Sequence, residues 1–415
     1  MKHLALTLTT AIFYNVTVKK KKALSIDYLV DGALIGSLIC ALFLSACEGE
    51  MVSGPEQGKP VSTGIVSMTI LQEVGGRVSW SHSNNKITFD RIGVDRYSDV
   101  YTMNPDGTEL QCLTCGKGNL IPQANNGNPT WHPTGEYIVF QAEDPELEGF
   151  PEADPRLEQF VTSPGVGINN NLWLTNADGS LFWQLTHVPN RYGALHPHFS
   201  PDGTKLVWSE ITSPKLDRMG HWSIKLADFS IENGVPRLAN IQTFQPLNLQ
   251  LYEMHGFSPN GTKILYSGVE EGGYYYDFEI YIMDLSTKQV TQLTNDKEWN
   301  EHAHYTADGR YIVWGATKGI EQPRVHTLME TIQNPPKREF WIMKSDGSCK
   351  YRLSGFNNPE APEYISIEGG VGFGDFDWGP DGKTIVAKMR RGLQEVTVLI
   401  DFDLSSYFNY IEAQK

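Results

Sequence analysis

The sequence is poor in three things, and each shortage excludes a class of protein. Cysteine is scarce, with 5 among 415 residues, too few for a fold held by a disulfide framework. Positive charge is in deficit, with 34 Lys and Arg against 49 Asp and Glu and a formal net charge of −15. Such a surface repels a phosphate backbone, so no nucleic-acid partner is expected. Long apolar runs are nearly absent. One stretch, Ala33 to Ala46, is the single candidate, which excludes a membrane protein of many spanning helices. At 40% hydrophobic and 20% charged residues, the chain is also neither disordered nor a coiled coil.

The apolar stretch follows Lys19, Lys20, Lys21 and Lys22 and is short for a spanning helix, but it suits the apolar core of a signal peptide. It ends Leu44-Ser45-Ala46-Cys47, and small residues just before a Cys resemble the bacterial lipobox. In that reading Cys47 is lipidated and becomes the new N-terminus. The expected organisation is a leader over 1–46, a flexible tether over 47–60 and a folded region over 61–415. The protein would be exported, periplasmic or anchored to the outer membrane, and would touch the membrane through its lipid alone.

Glycine, proline and aromatics are abundant, with 39 Gly, 23 Pro and 11% aromatics, which points to short strands joined by tight turns. A repeat makes this specific. Trp80, Trp131, Phe199, Phe257, Tyr305 and Trp378 each stand seven residues before an apolar triplet: Ile87-Thr88-Phe89, Ile138-Val139-Phe140, Leu206-Val207-Trp208, Ile264-Leu265-Tyr266, Ile312-Val313-Trp314 and Ile385-Val386-Ala387. From the second copy to the sixth the intervening turns read HPTG, SPDG, SPNG, TADG and GPDG. Proline presets φ at the first corner, Asp or Asn bonds its own backbone and Gly accepts positive φ, so each copy is a hairpin. A second hairpin follows most copies, as in VYTMNPDGTELQCLT (100–114) and FWIMKSDGSCKYRLS (340–354). Four strands per repeat and six repeats predict an all-β fold, a six-bladed β-propeller of four-stranded antiparallel blades. Residues 62–72 alternate like a strand and are expected to complete the last blade.

The SPDG and GPDG turns and the DGT and DGS strand turns resemble the repeats of TolB-type propellers over about residues 76–403. That resemblance implies the fold and leaves the function open. TolB itself carries an extra N-terminal α/β domain, for which the stretch between Cys47 and the first blade leaves no room. Similar repeats occur in prolyl-oligopeptidase-like enzymes, but the G-x-S-x-G elbow of their hydrolase domain is absent from this sequence.

The chemistry is then expected in the propeller itself. The long connections lie between strands b and c and between strands d and a, all on the face where strand a begins. Counting back from each repeat aromatic, the starts of strand a bring His196, His198, His255, His302, His304, Asp375 and Asp377 to one channel mouth. Imidazole with carboxylate suits Zn, Mn or Fe, and His196, His302, His304 and Asp375 are the candidate ligands of such a divalent metal. A separation of two along a strand is expected to place both His of a pair on one side. His198, Asp377, Glu253 and Glu301 are candidate ligand-binding groups. The competing expectation is that these polar groups only hydrogen-bond one another around the axis. His132, in the HPTG turn, lies on the opposite face and is expected to be structural.

His302-Ala303-His304 is similar to the channel His pair of oligogalacturonate lyases, TolB-repeat propellers that hold a divalent metal. The likeness implies β-elimination from a uronate, with His255 and Arg191 as candidate catalytic residues, Arg191 as the carboxylate binder. Cys112 and Cys115 form C-x-x-C, for which a disulfide, a redox or metal role and free thiols are all open, the disulfide being favoured outside the cytoplasm. The tyrosines of EEGGYYYDFE (270–279) are placed on the long-loop face, to stack on a sugar or a partner or to pack the loop. The leading functional reading is an exported, lipid-anchored propeller binding an envelope protein, a glycan or a small ligand on its long-loop face. The alternative is a metal-dependent lyase or hydrolase acting on an acidic saccharide.

Overall fold

The computed structural model describes residues 64–150, 155–215 and 220–413; the leader, Cys47 and the tether lie outside them. Every repeat becomes a four-stranded antiparallel sheet, and there are six. Their innermost strands, here strand a of blades one to six, are Val78–Trp80, Asn126–Trp131, Ala194–Phe199, Leu251–Phe257, Asn300–Tyr305 and Val371–Trp378. Successive strands a contact one another, and the first contacts the last, so the sheets form a closed ring around a channel.

Local chemistry accounts for the blade. In the a–b turns the Gly takes positive φ, as at Gly203 (71°), Gly261 (69°) and Gly309 (69°), while the preceding Asp or Asn accepts from the residues that follow. The outer strand d is short in four blades, for example Gln111–Cys112 and Tyr351–Arg352. A Leu-Thr or Leu-Ser pair extends its bonding. The Leu N–H donates to strand c, and the next hydroxyl accepts from the same strand c residue. Thr114 Oγ1 takes the N–H of Val100 at 2.9 Å, Thr186 that of Leu172 at 2.8 Å, Thr294 that of Ile280 at 2.8 Å and Ser354 that of Phe340 at 2.8 Å. The recurring Leu-Thr or Leu-Ser pair is thus a cap on the blade edge. Blade three differs: its strands c and d, His221–Glu232 and Val235–Phe244, form a long hairpin turned at Asn233-Gly234, both at positive φ.

The apolar triplets of strand b pack between blades. Trp208 and Trp314 are fully buried there, as are Phe89, Phe140 and Tyr266. His132 is structural, as expected: its Nε2 meets the Gly203 carbonyl of the next blade at 3.1 Å, and its ring packs on Phe199.

Ring closure uses the segment that sequence alternation singled out. Ile65–Gln72 pairs antiparallel with Gln394–Phe402, strand c of blade six, with Met68 opposite Ile400 and Ile70 opposite Val398. Gly64 ties this strand to blade five through its N–H to the Leu353 carbonyl. The residues after blade six form a helix, Ser405–Ala413, which buries Tyr407 and Ile411 against blades five and six.

Deleting the closing strand leaves strand c of blade six as a bare edge. A chain beginning at Gly75 should melt well below the full chain and aggregate on concentration. A thermal melt with light scattering checks this, and coincident melting curves would show that the ring closes without Ile65–Gln72.

Candidate functional site

The starts of strand a are not regular. In blades two to six one extra residue is inserted into the a–b pairing: Leu195 faces Ser209 while His198 faces Val207, and the same shift separates Gly127 from Thr130, Met254 from Phe257, Glu301 from His304 and Phe373 from Phe376. At the bulges of blades two, three and five the third residue before the repeat aromatic adopts φ 51°: Asn128, His196 and His302; in blade four Gly256 takes the positive φ instead, at 97°. A non-glycine residue there costs roughly 1–3 kcal/mol and is characteristic of built sites. The bulge breaks strict alternation, so the two His of each pair do not act together as their spacing suggested. His196 and His302 meet carboxylates at the mouth. His198 and His304, further along strand a, meet each other, with ring centres 6.4 Å apart.

At the mouth, charge is buried and tightly linked. Glu301 Oε2 receives the Trp299 indole N–H at 2.5 Å, lies 3.0 Å from His302 Nε2 and 3.6 Å from Arg338 Nη1. The other nitrogen of His302, Nδ1, is 3.1 Å from Asp375 Oδ1, and the second oxygen of Asp375 pairs with Arg77. Burial alone would raise Glu301 and Asp375. His302, Glu253 and Arg338 instead hold Glu301 well below the usual carboxylate range, and Arg77, His302 and His196 do the same for Asp375. Glu253 is the exception: burial and the adjacent Glu301 charge push it well above that range, and the two carboxyls titrate as a pair. His196 Nδ1 lies 3.1 Å from Glu253 Oε1, yet neither ring nitrogen has a hydrogen-bond partner although the side chain is 1% exposed. Burial also pushes the His255 ring well below its ordinary value, where Nε2 meets Ser267 Oγ at 2.7 Å.

Above this floor lies a cavity of about 450 Å³ on the long-loop face. Its walls come from the b–c connections: Phe160 follows from the helix Pro155–Val161 of blade two, Tyr275 from blade four, and Thr331 and Arg338 from the connection of blade five that holds the helix Leu328–Gln333. Arg338 is buried, with its guanidinium carbon 4.5 Å from the Trp299 ring centre, and its Nε and Nη1 have no hydrogen-bond partner. The neighbouring Arg390 is instead spent on the carbonyls of Gly369, Gly392, Pro335 and Pro336.

Among the described residues, Glu253, Glu301 and His302 each offer a donor atom within 4.8 Å of the other two, a set fit for a divalent cation. Asp375 adjoins this set and orients His302. His196 touches it through Glu253, while His304 lies deeper, against Phe376. Asp377 is taken up by Ser79, the Trp80 N–H and the Trp378 N–H, clasping blade six to blade one. Arg191 is away from the mouth: its Nε donates to the Gly149 carbonyl and its guanidinium stacks on Phe150. Of the three loop tyrosines, Tyr275 lines the cavity, while Tyr274 packs on His326 and Tyr276 on Trp299. Sequence reasoning passed over Arg338 and Trp299 as cavity residues. The one available signal was Trp299 two residues before Glu301, on a strand that carries a His pair.

No family model matches the chain. It is 26% identical over 226 residues to a curated Agrobacterium fabrum protein, "Uncharacterized protein Atu1656", a match covering 54% of this chain and 57% of that one. The chain thus spans little more than half the length of that relative. Structures with a similar fold include TolB from Acinetobacter baumannii (TM-score 0.49, 12% identity, 77% of this chain and 64% of that one) and a putative TolB from Agrobacterium tumefaciens (0.48, 14%, 80% and 91%). An oligogalacturonate lyase in complex with manganese is similar at TM-score 0.48 and 13% identity, over 84% of this chain and 96% of that one.

Burial pushes His198 down to about 4 and His304 to about 3, against roughly 6.5 for free imidazole. The unfolded chain therefore binds protons that the folded chain refuses, and stability should be full above about pH 6.5 and fall as pH drops toward 4. Replacing both His by Gln should flatten that fall. Melting temperatures at pH 7, 5.5 and 4.5 measure it, and parallel profiles for variant and wild type would contradict it.

Proposed function

We propose that the chain binds a small carboxylate-bearing ligand, an acidic saccharide or its like, in the cavity at the channel mouth. One observation carries the reading: Arg338 is a buried, stacked guanidinium at the cavity wall whose Nε has no hydrogen-bond partner and whose Nη1 has only the Glu301 carboxylate, 3.6 Å away. A planar fork of this kind pairs with a carboxylate through two parallel hydrogen bonds, and burial strengthens them. Tyr275 adds an apolar wall against which a sugar ring can lie, while Trp299 backs the Arg338 guanidinium. The ring of bonded charge beneath would hold the floor rigid. We further propose that the protein works outside the cytoplasm, tethered at Cys47, where an envelope glycan or protein would supply the acidic group.

The cleanest test compares galacturonate with galactose, which lacks the carboxylate. Galacturonate or its short oligomers should raise the melting temperature and give a measurable Kd, and galactose should not. Arg338→Met keeps the bulk and removes the fork. It should weaken binding about tenfold or more, given about 1.5–3 kcal/mol for hydrogen bonds to a charged group. Equal responses to the acidic and neutral sugars, or an unaffected Arg338→Met, would sink the proposal.

A second reading, a metal-dependent lyase or hydrolase on the same class of ligand, is favoured by the donor set Glu253, Glu301 and His302. A ligating carboxylate must be free of its proton, so an ion here would bind more tightly as pH rises. These residues would hold the ion, and Asp375 would fix the His302 ring behind it. When bound, the ion would supply charge that acidifies the carbon beside a uronate carboxylate. The chain's own part is to orient the ligand with Arg338 and to exclude water with the Phe160 and Tyr275 loops. After incubation with Mn²⁺ or Zn²⁺ and desalting, the wild type should retain about one ion per chain, and Glu253→Gln and Glu301→Gln should each retain far less. A wild type that retains none would remove the lyase reading and leave the binding reading standing.

A further inference from the structure

Outside the channel, the outer end of blade one carries a second chemical group. Cys112 and Cys115 are joined by a disulfide at the end of strand d. The two sulfurs are not equivalent. Cys115 is exposed and Cys112 half-buried. The backbone N–H of Cys115 points at Cys112 Sγ, 3.0 Å away. A carboxylate oxygen of Asp99 lies within 4.8 Å of both sulfurs, and the Tyr101 hydroxyl is 3.4 Å from Cys115 Sγ. Asp99, Tyr101 and Cys115 line an open groove of about 590 Å³, walled by the 93–97 turn of blade one and the connection to blade two; Cys112 is not part of its lining.

We propose that this disulfide is an exchange site for small thiols, in which Cys115 Sγ is attacked and Cys112 Sγ leaves. The groove opens on the exposed sulfur of Cys115 and not on Cys112, so an incoming thiol meets Cys115 first. Asp99 takes the proton of the thiol, and the thiolate forms a bond to Cys115 Sγ. The Cys112–Cys115 bond breaks, and its electron pair goes to Cys112 Sγ, where the Cys115 N–H stabilises the new thiolate. A better-stabilised leaving thiolate departs faster. Asp99 then returns its proton to Cys112. A second thiol attacking the mixed disulfide completes the balance: two thiols become one disulfide, and Cys112 and Cys115 become a dithiol. Thr114 holds Asp99 in place through a 2.6 Å hydrogen bond to Oδ1, and the same Thr caps strand c, so the exchange site is fixed to the blade edge. The inference is independent of the carboxylate-binding reading, because no residue is shared.

The test uses the full chain with glutathione. After brief reaction and acid quench, peptide mapping by mass spectrometry should find the glutathione adduct on Cys115 in at least tenfold excess over Cys112. The bond in the folded chain should be cleaved at least tenfold faster than in an oxidised peptide of residues 111–116, which has the same loop without Asp99 or Tyr101. Equal adducts on the two sulfurs, or a rate no higher than that of the peptide, would overturn the proposal. Asp99→Asn separates proton transfer from packing. Its rate should fall about tenfold or more at pH 6, where glutathione is largely protonated, and little at pH 9, where the thiolate needs no base. An equal change at both pH values, or none, would remove Asp99 from the step.

Discussion

The site depends on closure of the ring. Arg77 stands at the start of blade one and Asp375 at the start of blade six, far apart in sequence, and their pairing exists because Ile65–Gln72 completes blade six. Asp377 spans the same seam through Ser79 and the Trp80 N–H. Once the seam is shut, Asp375 is held against His302, His302 against Glu301, and Glu301 against Arg338. Removing the closing strand would therefore free a chain of buried charges that no single blade can satisfy. Buried charges are tolerated where every partner is present, and here the partners come from different blades.

The mouth combines stiffness with unfinished bonding. The propeller supplies stiffness through apolar packing between blades, largely independent of what lies on the axis. The b–c connections supply the walls. The bulges in strand a supply strain, since Asn128, His196 and His302 are held at positive φ by the pairing on either side. The unpartnered Nε of Arg338, a residue of the cavity wall, is the unfinished bond there. Such a group costs stability while unpaired and returns it when a partner arrives.

The propeller was legible because its cause is periodic. One aromatic, one tight turn and one apolar triplet at a constant offset are required wherever a strand must turn and re-enter a blade interface. Even the closing strand was visible, because one face of Ile65–Gln72 must be apolar to meet blade six. The His and carboxylate positions could also be placed at one mouth, since counting back from the aromatic assigns each a height along strand a. The cavity walls were not legible. Arg338, Trp299 and Phe160 come from connections of unequal length that repeat nothing, and no pattern tells that Arg338 will turn inward while Arg191 stacks on its own loop.

Sequence by itself determined the blade, the number of blades and the ends that join, because these follow from local turn chemistry and alternation of side chains. Tertiary structure alone decided which charged groups share a proton, which His face carboxylates and which face each other. The reason is the bulge. One inserted residue rotates the side chains that follow it, and no single residue type marks the insertion, since Asn128, His196 and His302 occupy the same bulge position in three blades. Sequence could bring the ionisable groups to one place; only the closed ring set their mutual distances, and at a buried site those distances fix charge and chemistry.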